Sequence, residues 1–418
     1  MNILFFTDNF PPEVNAPASR TFEHCREWAR AGHQVTVITC APNFPAGKVF
    51  PGYRNRLWQR ETLEGIEVVR VWTYITANAG FFLRTLDYLS FMLAGGVAGM
   101  LVGKPDVVIG TSPQFFTACA AWWVSWLRRK PFVFELRDFW PESIKTVGAM
   151  EDNAALRFLE KIELFLYRRA ASIVAVTHSF KKTLIARGID GGKIQVVTNG
   201  VDMSRFKPRP KDQALLRRHG LEGKFVVGYI GTHGLAHCLE TLLEAANTLR
   251  RLPEAQDIHF LFLGDGARKQ ALAGQAAALG LANVTFVDSV PKEEVACYWS
   301  LLDVAVIHLK KSPLFTQVIP SKLFECMGMG IPVLHGVVGE SADIVAREGM
   351  GLLFEPENAG QLCSNLLRIR DEAGLLERLQ ARALQAAAKY GRSALAKSML
   401  DALERQAVAV GKIRKVLV

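Results

Sequence analysis

The sequence predicts an α/β protein made of two Rossmann-like domains, each with a doubly wound parallel sheet. Three observations predict this class. Short apolar runs alternate with helical patterns along most of the chain. The alternation starts twice, at Asn2–Thr7 and again at Phe225–Ile230. The chain has 418 residues, which is too long for one ordinary core. We expect the two domains to face each other across a cleft, with ligands at the carboxyl ends of the strands.

The first half opens as a strand, a polar loop and a helix over Ala18–Ala31. Further strands are predicted at residues 34–39, 67–72, 106–111, 132–136, 172–176 and 195–198. The loop after the first strand lies at a carboxyl strand end, so it is a candidate wall of a binding site. Asn15, Ala16 and Arg20 are the candidate acceptor-binding residues there. An ordinary crossover loop is an equally good interpretation.

Charged and polar residues also follow two later strands of the first half. Arg137 and Asp138 come directly after the strand that ends at Leu136. A charged pair at a carboxyl strand end suits acid–base or positioning work, and a local salt bridge is the alternative. His178 follows the strand 172–176 and is a further candidate for acceptor binding, although a lone His is more often structural.

Two helical stretches of the first half are unusually apolar. Phe81–Gly103 is rich in Phe, Leu, Met and Val, and Phe115–Leu127 contains Trp122, Trp123 and Trp126. Each run is shorter than the roughly 20 apolar residues that span a bilayer. They are interpreted either as core helices of the sheet or as an in-plane contact with a membrane, because basic residues stand beside the Trp side chains.

The segment Met203–Pro210 separates the two series of strands and helices. It carries two Pro and several basic residues, which is typical of a domain boundary. We predict a first domain over residues 1–203 and a second domain over residues 204–392. Residues 393–418 are predicted to be a helix and tail that return to the N-terminal domain.

Glycine-bounded loops follow the predicted strands of the second half. Their small residues let backbone N–H groups approach a phosphate. Each such loop or turn lies at a carboxyl strand end, where a donor is expected. The candidate donor-binding residues in these loops are Gly231, Thr232, His233, Gly234, Gly264, Gly266, Asp288 and Val290.

The stretch Ser312–Val333 carries the strongest chemical signal of the chain. Pro320 and Ser321 predict a helix start with Ser321 as its cap. The free N–H groups of a helix start attract an anion, and Lys322 adds a cation to the first turn. Glu325 lies one turn further on, where its carboxylate can accept hydrogen bonds from a diol. Together they describe a nucleoside diphosphate with its ribose; a plain crossover with a surface Lys and Glu is the alternative.

The composition limits the classes of binding partner that are expected. The formal net charge is +10, which suits phosphates or an anionic membrane face. Nucleic acid is the competing partner, but no zinc finger, RNP-like aromatic pair or basic low-complexity tail occurs, so none is expected. The seven Cys include no Cys-x-x-Cys pair and are expected to be reduced thiols of a cytoplasmic protein.

The order of these motifs along the chain resembles that of the GT-B retaining glycosyltransferases of family 4. The resemblance extends over nearly the whole chain. The resemblance rests on the first strand with its Phe-Pro-Pro, on Asn199–Asp202, on Gly231, on Gly264–Gly266, and on Glu325 followed by Gly330–Val333. The form Ile319–Glu325 resembles the subgroup that builds bacterial surface polysaccharides, similar to the L-fucosamine transferases of O-antigen assembly.

The resemblance implies roles and also marks departures. It assigns Glu325 to the nucleotide ribose, whereas the family's other Glu falls on Gln317, which carries no charge. Thr232 stands where relatives have an Arg, so Lys322 is expected to supply the cation for the diphosphate. The family's His-Asp pair appears as Arg137 and Asp138. We therefore name Asp138, Lys322, Gln317 and Arg137 as the catalytic candidates.

The implied activity is metal-independent transfer of a sugar, such as an N-acetylated hexosamine or deoxyhexosamine, from a UDP-sugar donor. No Asp-x-Asp occurs, so protein donors are expected to hold the leaving diphosphate, with no metal and no cofactor. The implied acceptor is a polyprenyl-diphosphate-linked saccharide, with the enzyme peripheral on the cytoplasmic face of the inner membrane. The resemblance also implies that the domain over residues 1–203 binds the acceptor and that the domain over 204–392 binds the nucleotide sugar. A UDP-sugar 2-epimerase and a non-catalytic nucleotide-sugar sensor are the alternatives.

Overall fold

The computed structural model describes residues 1–13, 15–44, 47–76, 81–139 and 154–416. These residues form two compact units. The first comprises Met1–Thr198 and Ser393–Val418, and the second comprises Asn199–Arg392. The boundary therefore falls at 198/199, five residues before the position predicted from the basic Pro-containing segment, which belongs to the second unit.

The first unit, in its described residues, contains one eight-stranded sheet with the strand order β3-β4-β2-β1-β5-β6-β7-β8. Its strands are β1 (Asn2–Phe6), β2 (Gln34–Cys40), β3 (Trp58–Leu63), β4 (Ile66–Val71), β5 (Val107–Thr111), β6 (Phe132–Leu136), β7 (Ser172–Ala175) and β8 (Ile194–Val196). Its helices in the first half of the chain are α1 (Ala16–Arg30), α2 (Phe81–Leu101), α3 (Phe115–Arg128), α4 (Ala154–Arg169) and α5 (His178–Ala186).

Both faces of this sheet are buried, which explains the continuous apolar run of β1. Leu4 and Phe6 pack with the helices on one face, whereas Ile3 and Phe5 pack on the other. Successive side chains of a strand point to opposite faces, so a strand covered on both sides has no polar alternation. All pairings are parallel except that of β3 with β4.

The antiparallel strand β3 is an element that the sequence analysis missed. It pairs with β4 through a two-residue turn at Glu64 and Gly65, which both have positive φ. Such a turn matches the right-handed twist of a hairpin. The signal was the Glu-Gly pair between two runs of alternating polarity.

The second unit contains a six-stranded parallel sheet with the order β11-β10-β9-β12-β13-β14. Its strands are β9 (Phe225–Ile230), β10 (Ile258–Leu263), β11 (Val284–Val287), β12 (Val304–His308), β13 (Val333–Gly336) and β14 (Gly351–Leu353). Its helices are α6 (Gln213–Arg218), α7 (Glu240–Leu249), α8 (Lys269–Ala278), α9 (Val295–Trp299), α10 (Lys322–Met329), α11 (Glu340–Glu348), α12 (Ala359–Asp371) and α13 (Leu375–Lys389). Separate apolar clusters cover its two faces.

The last helix, α14 (Arg392–Val416), starts at the unit boundary and packs on the first sheet. Ala396, Met399 and Leu403 join the apolar cluster that contains Phe5 and Trp28. The indole Nε1 of Trp28 donates to Ala396 O at 2.8 Å. The return of the chain to the first unit is therefore held by apolar packing and a buried hydrogen bond.

The two apolar stretches of the first half are helices α2 and α3, which pack against each other. A Cβ built on Gly96 would lie 2.5 Å from the Trp123 ring, and one on Gly99 would lie 2.6 Å from the Phe6 ring. One side of α2 therefore belongs to the core. In the part of the chain that the structure describes, no helix has both the length and the apolar character that crossing a bilayer requires.

Candidate active site

Lys322 lies at the first turn of α10, where its ammonium group meets the end of β9. Its Nζ is 3.8 Å from the centroid of the Tyr229 ring. A Cβ built on Gly231 would lie 2.8 Å from the same Nζ, and the φ of +140° at Gly231 disfavours any other residue. Burial lowers the pKa of Lys322 to about 8, against the opposing effect of the Glu325 charge. The ammonium is thus held on an aromatic face beside a glycine, where an anion can replace its lost water.

Glu325 lies one turn further along α10, as predicted, and is held by a residue that the sequence analysis missed. Trp299 Nε1 donates to Glu325 Oε2 at 3.0 Å. Burial raises the pKa of Glu325, whereas the Trp299 hydrogen bond and the positive charges of Arg392 and Lys322 oppose that rise. A half-buried carboxylate with one oxygen fixed in this way suits a ligand that offers hydroxyl groups.

The start of α10 differs from the prediction. Ser321 occupies the N-cap position in helical conformation, and its side chain makes no capping hydrogen bond. The N–H groups of Leu323 and Phe324 donate instead to Pro320 O and Ser321 O, each at 3.1 Å. This tight first turn uses N–H groups that were expected to face an anion. The candidate anion site therefore depends more on Lys322 and the glycine loops than on the helix start.

The glycine loops at the ends of β9 and β10 pack backbone against backbone. A Cβ on Gly264 would lie 2.0 Å from Gly231 O, and a Cβ on Gly266 would lie 2.5 Å from His233 O. All three glycines have positive φ near 140–153°. No larger residue fits such contacts, so the strand ends form a compact backbone surface beside Lys322.

His233 lies in the loop that follows β9, and its side chain is buried beneath that loop. Its side chain is 0% exposed and lies against Tyr229, Phe262 and Phe286. Burial, with the charges of Lys269 and Lys322, lowers its pKa to about 4, so the ring is neutral at pH 7. The ring was predicted to bind the donor, but in this structure it does not reach the surface. Of the other loop residues, Thr232 is exposed and Gly234 half-buried.

Lys269 links the ends of β10 and β11 through hydrogen bonds, and the sequence analysis did not identify it. Its Nζ donates to Gly264 O at 2.9 Å and to Val287 O at 3.2 Å, and it pairs with Asp288. The exposed carboxylate of Asp288 has a lowered pKa because of this pairing. Val290 is half-buried against the core of the second unit.

Gln317 ends a 3-10 turn, Pro313–Gln317, that packs on the start of α11. A Cβ on Gly339 would lie 2.0 Å from Thr316 O. The turn is therefore held by close backbone contact, with Gln317 half-buried.

Arg137 and Asp138 lie at the end of β6 and are held by Ser112. The Ser112 Oγ accepts hydrogen bonds from Arg137 N at 2.8 Å and from Asp138 N at 3.2 Å. The Arg137 guanidinium donates to Pro17 O at 3.2 Å. Both side chains are half-buried. These bonds fix the backbone at the strand end, and the acid–base or positioning role of the two side chains stays a prediction.

Arg20, a predicted acceptor-binding residue, is buried and contacts other residues of the first unit. Its Nε donates to Glu135 Oε1 at 2.9 Å, and both side chains are buried. Its other nitrogens donate to Thr198 O at 2.6 Å and Val197 O at 2.9 Å. Burial works against the charged form of Glu135, but Arg20 and Arg137 outweigh it and lower its pKa. All three nitrogens of the Arg20 guanidinium therefore donate to acceptors inside the first unit.

The remaining candidates of the first unit are placed differently. Asn15 caps α1 by accepting from Ala18 N at 2.9 Å, and its amide donates to Asn9 at 2.6 Å. Ala16 is the first residue of that helix. His178 is exposed at the start of α5. Asn15 is thus partly structural, whereas His178 is exposed to solvent.

Two carboxylates near the end of β1 were missed as individual candidates. Burial and the nearby charge of Glu13 raise the pKa of Asp8 to about 7. Burial raises the pKa of Asp87 to about 6, with Arg84 opposing. Asp8 directly follows β1, so its position at a carboxyl strand end was the available signal.

Comparison with known proteins agrees with this architecture. The Thermosynechococcus elongatus sucrose-phosphate synthase superposes with a TM-score of 0.73 at 18% identity, covering 98% of this chain and 99% of that one. The Anabaena protein HepE, solved in complex with UDP, superposes with a TM-score of 0.70 at 16% identity, covering 97% of this chain and 100% of that one. The Escherichia coli K12 protein WcaI, named as a glycosyl transferase of colanic acid biosynthesis, is 25% identical over 79% of this chain and 82% of its own.

The fold and these neighbours define the class: two Rossmann-like α/β domains of the GT-B glycosyltransferase fold. Each half of the chain matches a glycosyltransferase domain. Residues 15–200 match the Glycosyl transferase 4-like domain, and residues 224–372 match the Glycosyl transferases group 1 domain. The resemblance to family 4 is thereby confirmed at the level of the domains.

Proposed function

We propose that the protein transfers a sugar from a UDP-sugar to a lipid-linked saccharide during synthesis of a bacterial surface polysaccharide. One observation carries the proposal: Lys322 lies against Gly231, one helical turn from a Glu325 carboxylate that Trp299 orients. A cation beside backbone glycines suits a diphosphate, and a fixed carboxylate suits a ribose diol. The UDP bound by HepE and the colanic acid role in the name of WcaI support the donor and the pathway class.

The proposed chemistry keeps the anomeric configuration and needs no metal. The bond between sugar C1 and the diphosphate oxygen breaks while a bond from C1 to the acceptor oxygen forms on the same face. The acceptor proton passes to the departing oxygen, so the products are the glycoside and UDP. Negative charge grows on the diphosphate during this step, and Lys322 stabilises it there. Gln317 is proposed to hydrogen-bond a sugar hydroxyl.

The acceptor is assigned to the first unit. Asp138 and Arg137 are held in place by Ser112, and exposed His178 follows the next strand. We assign to them the orientation of the acceptor saccharide. The proposed acceptor is carried on polyprenyl diphosphate, which requires the enzyme to work at the cytoplasmic face of a membrane. The donor sugar is proposed to be an N-acetylated hexosamine or deoxyhexosamine such as L-FucNAc, on the motif Ile319–Glu325.

A two-step assay tests this function. A thermal-shift panel of nucleotide sugars selects the donor, which is then incubated with polyprenyl-diphosphate saccharides. The expected result is UDP release that depends on the acceptor, with a product whose anomeric configuration by NMR equals that of the donor. EDTA is expected to leave the rate unchanged.

Other outcomes contradict specific parts of the proposal. Formation of an epimer from the UDP-sugar alone would identify an epimerase. Tight donor binding without turnover on any acceptor would identify a sensor. Loss of activity with EDTA that manganese restores would end the metal-independent mechanism.

A further inference from the structure

A basic cavity of about 620 Å³ opens in the first unit at the amino end of β6, where α3 and α4 end. Its lining includes Trp122, Trp126, Arg129, Lys130 and Arg169. The carboxyl ends of the strands, where Arg137 and Asp138 lie, are at the opposite edge of the sheet. The basic cavity is therefore separate from the candidate acceptor site.

The cations of the basic cavity have few carboxylate partners, although the Arg169 guanidinium lies 5.5 Å from the centroid of the Phe165 ring. Among the described residues, no carboxylate pairs with Arg129 or Arg169, and Lys130 Nζ lies 3.8 Å from Asp106 Oδ1. The neighbouring Arg128 differs, because its guanidinium donates to the carbonyls of Met100, Val102 and Gly103 at the end of α2. Arg128 thus completes a helix end, while Arg129 and Arg169 leave positive charge at the mouth of the cavity.

An exposed apolar stripe runs along α2 beside this cavity. Its members recur at helical spacing on one face of α2 and include Leu86, Leu93, Val97, Met100 and Leu101. Leu93 is 57% exposed and Leu101 is 67% exposed. The opposite face of α2 packs on Trp123 and Phe6. The stripe is therefore not the inner side of a core helix.

Aromatic side chains of α3, which packs against α2, line the cavity and contact α4. Trp122 stacks on Trp126 at 6.3 Å and meets Phe165 of α4 edge-on at 5.0 Å. Trp126 is 63% exposed and Phe158 of α4 is 62% exposed. Helices α2, α3 and α4 thus present one apolar outer face with cations at its end. We call this surface, together with the basic cavity, the docking face.

We propose that the docking face binds an anionic lipid bilayer, with a lipid phosphate in the basic cavity and Trp126 at headgroup depth. Exposed Leu and aromatic side chains beside Arg and Lys are typical of proteins that lie in the membrane interface. A second copy of this chain fits less well, since the cations of two such faces would repel each other. The inference rests on the proposed lipid-linked acceptor and names the surface that brings the enzyme to it.

Vesicle co-sedimentation tests the docking face in the full chain. The wild type is expected to bind vesicles that contain phosphatidylglycerol and not vesicles of phosphatidylcholine alone, with weaker binding in high salt. The double variant Arg129→Asn/Arg169→Gln is expected to lower partitioning about 10- to 30-fold. Asn suits position 129, because its φ is +52° and Asn tolerates that conformation. Leu93→Ser/Val97→Ser is expected to release the protein as well.

The matched control removes the same charge elsewhere. Arg217→Gln/Arg251→Gln changes two exposed arginines of the second unit and is expected to leave partitioning within about twofold. UDP binding and the melting temperature of every variant are expected to equal those of the wild type. Wild-type partitioning by the Arg129→Asn/Arg169→Gln variant, or no wild-type binding to anionic vesicles, overturns the proposal.

Two further outcomes separate the competing explanations. A concentration-dependent dimer that Leu93→Ser/Val97→Ser abolishes would assign the face to a second copy and overturn the bilayer. Vesicle binding without sugar transfer to any acceptor would leave the docking face in place and reject the proposed function. Transfer to a short-chain, water-soluble acceptor without vesicle binding would support the proposed function and reject the docking face.

Discussion

Trp299 Nε1 donates a hydrogen bond to Glu325 Oε2 at 3.0 Å, across the contact between α9 and α10. The indole is buried at 1% exposure, so its N–H has lost water and depends on the carboxylate. The bond fixes the rotamer of Glu325 and stabilises its charged form against the effect of burial. A residue 26 positions away in the chain thus prepares the carboxylate that is proposed to bind the ribose.

Trp299→Phe removes this donor while keeping most of the apolar volume. The expected result is a rise of about tenfold in KM for the nucleotide sugar with little change in kcat, because one charge-assisted hydrogen bond contributes about 1.5–3 kcal/mol. The pKa of Glu325 should rise further, so activity should fall earlier on the acid side. Steady-state kinetics between pH 5 and 8 measures both effects.

Trp28→Phe is the matched control, since it removes the buried bond from Trp28 Nε1 to Ala396 O in the first unit. It is expected to lower stability without changing the KM of the donor. If Trp299→Phe behaved in the same way, Trp299 would have only a packing role.

Gly231→Ala tests the contact between the glycine loop and Lys322. The new Cβ would meet Nζ at 2.8 Å, and φ of +140° disfavours any side chain. The expected result is displacement of the ammonium, with kcat/KM reduced by about tenfold or more. UDP affinity by calorimetry and transfer kinetics measure it.

Gly274→Ala is the control for that substitution. Gly274 lies inside α8, and a Cβ there meets nothing within 4 Å. Because Ala favours a helix over Gly, this variant should be about 1 kcal/mol more stable and fully active. Full donor affinity in Gly231→Ala as well would remove Lys322 from the diphosphate site.

The pH dependence of donor binding follows from Lys322. Its pKa is about 8 in the free protein, so the ammonium form is lost as the pH rises through 8, and kcat/KM should fall there. A bound diphosphate stabilises the ammonium, so UDP binding at pH 8.5 should take up part of a proton. Calorimetry in buffers of different ionisation enthalpy measures this uptake.

Folding stability changes in the opposite direction. The ordinary pKa of lysine is 10.5, so between about pH 8 and 10.5 the unfolded chain binds more protons at this site. The contribution of Lys322 to stability therefore rises with pH in that window. Lys322→Arg keeps its charge there and should show neither proton uptake nor the alkaline fall in kcat/KM; retention of both would point to another group.

Arg20→Ala tests the buried ion pair with Glu135. It leaves a buried carboxylate without its partner, which should cost the first unit about 3–5 kcal/mol of unfolding free energy. Because Glu135 has a lowered pKa, the stability it contributes is present above the ordinary pKa of Glu and is lost as the pH falls. The wild type should therefore lose stability towards pH 3 more steeply than the variant.

Urea unfolding at several pH values measures the effect of Arg20→Ala. The double variant Arg20→Met/Glu135→Leu should recover much of the loss, since it leaves no unpaired charge. Wild-type stability combined with a raised KM for the acceptor would instead return Arg20 to the acceptor site.

The local sequence determined those elements that depend only on interactions between residues close together in the chain. The apolar run of β1, the Gly-bounded loop after β9 and the helix with Lys322 and Glu325 all lie where their patterns predict. Periodicity and turn chemistry act over a few residues, so the sequence alone carries them. The same locality explains the end of α10, where Gly330 adopts φ of +69° and stops the helix, although Gly328 lies inside it.

Tertiary structure decided which of the candidate side chains are buried and which are exposed. Arg20 and His178 looked alike as polar residues near strand ends, but Arg20 pairs with Glu135 from a strand 115 residues away, whereas His178 is exposed. The contacts that link Trp299 and Lys269 to the candidate site join segments that are distant in the chain, so only the structure identified these two residues. The sequence determines which residues stand near each strand end; burial and long-range hydrogen bonds determine their availability, because desolvation depends on what the rest of the chain packs around them.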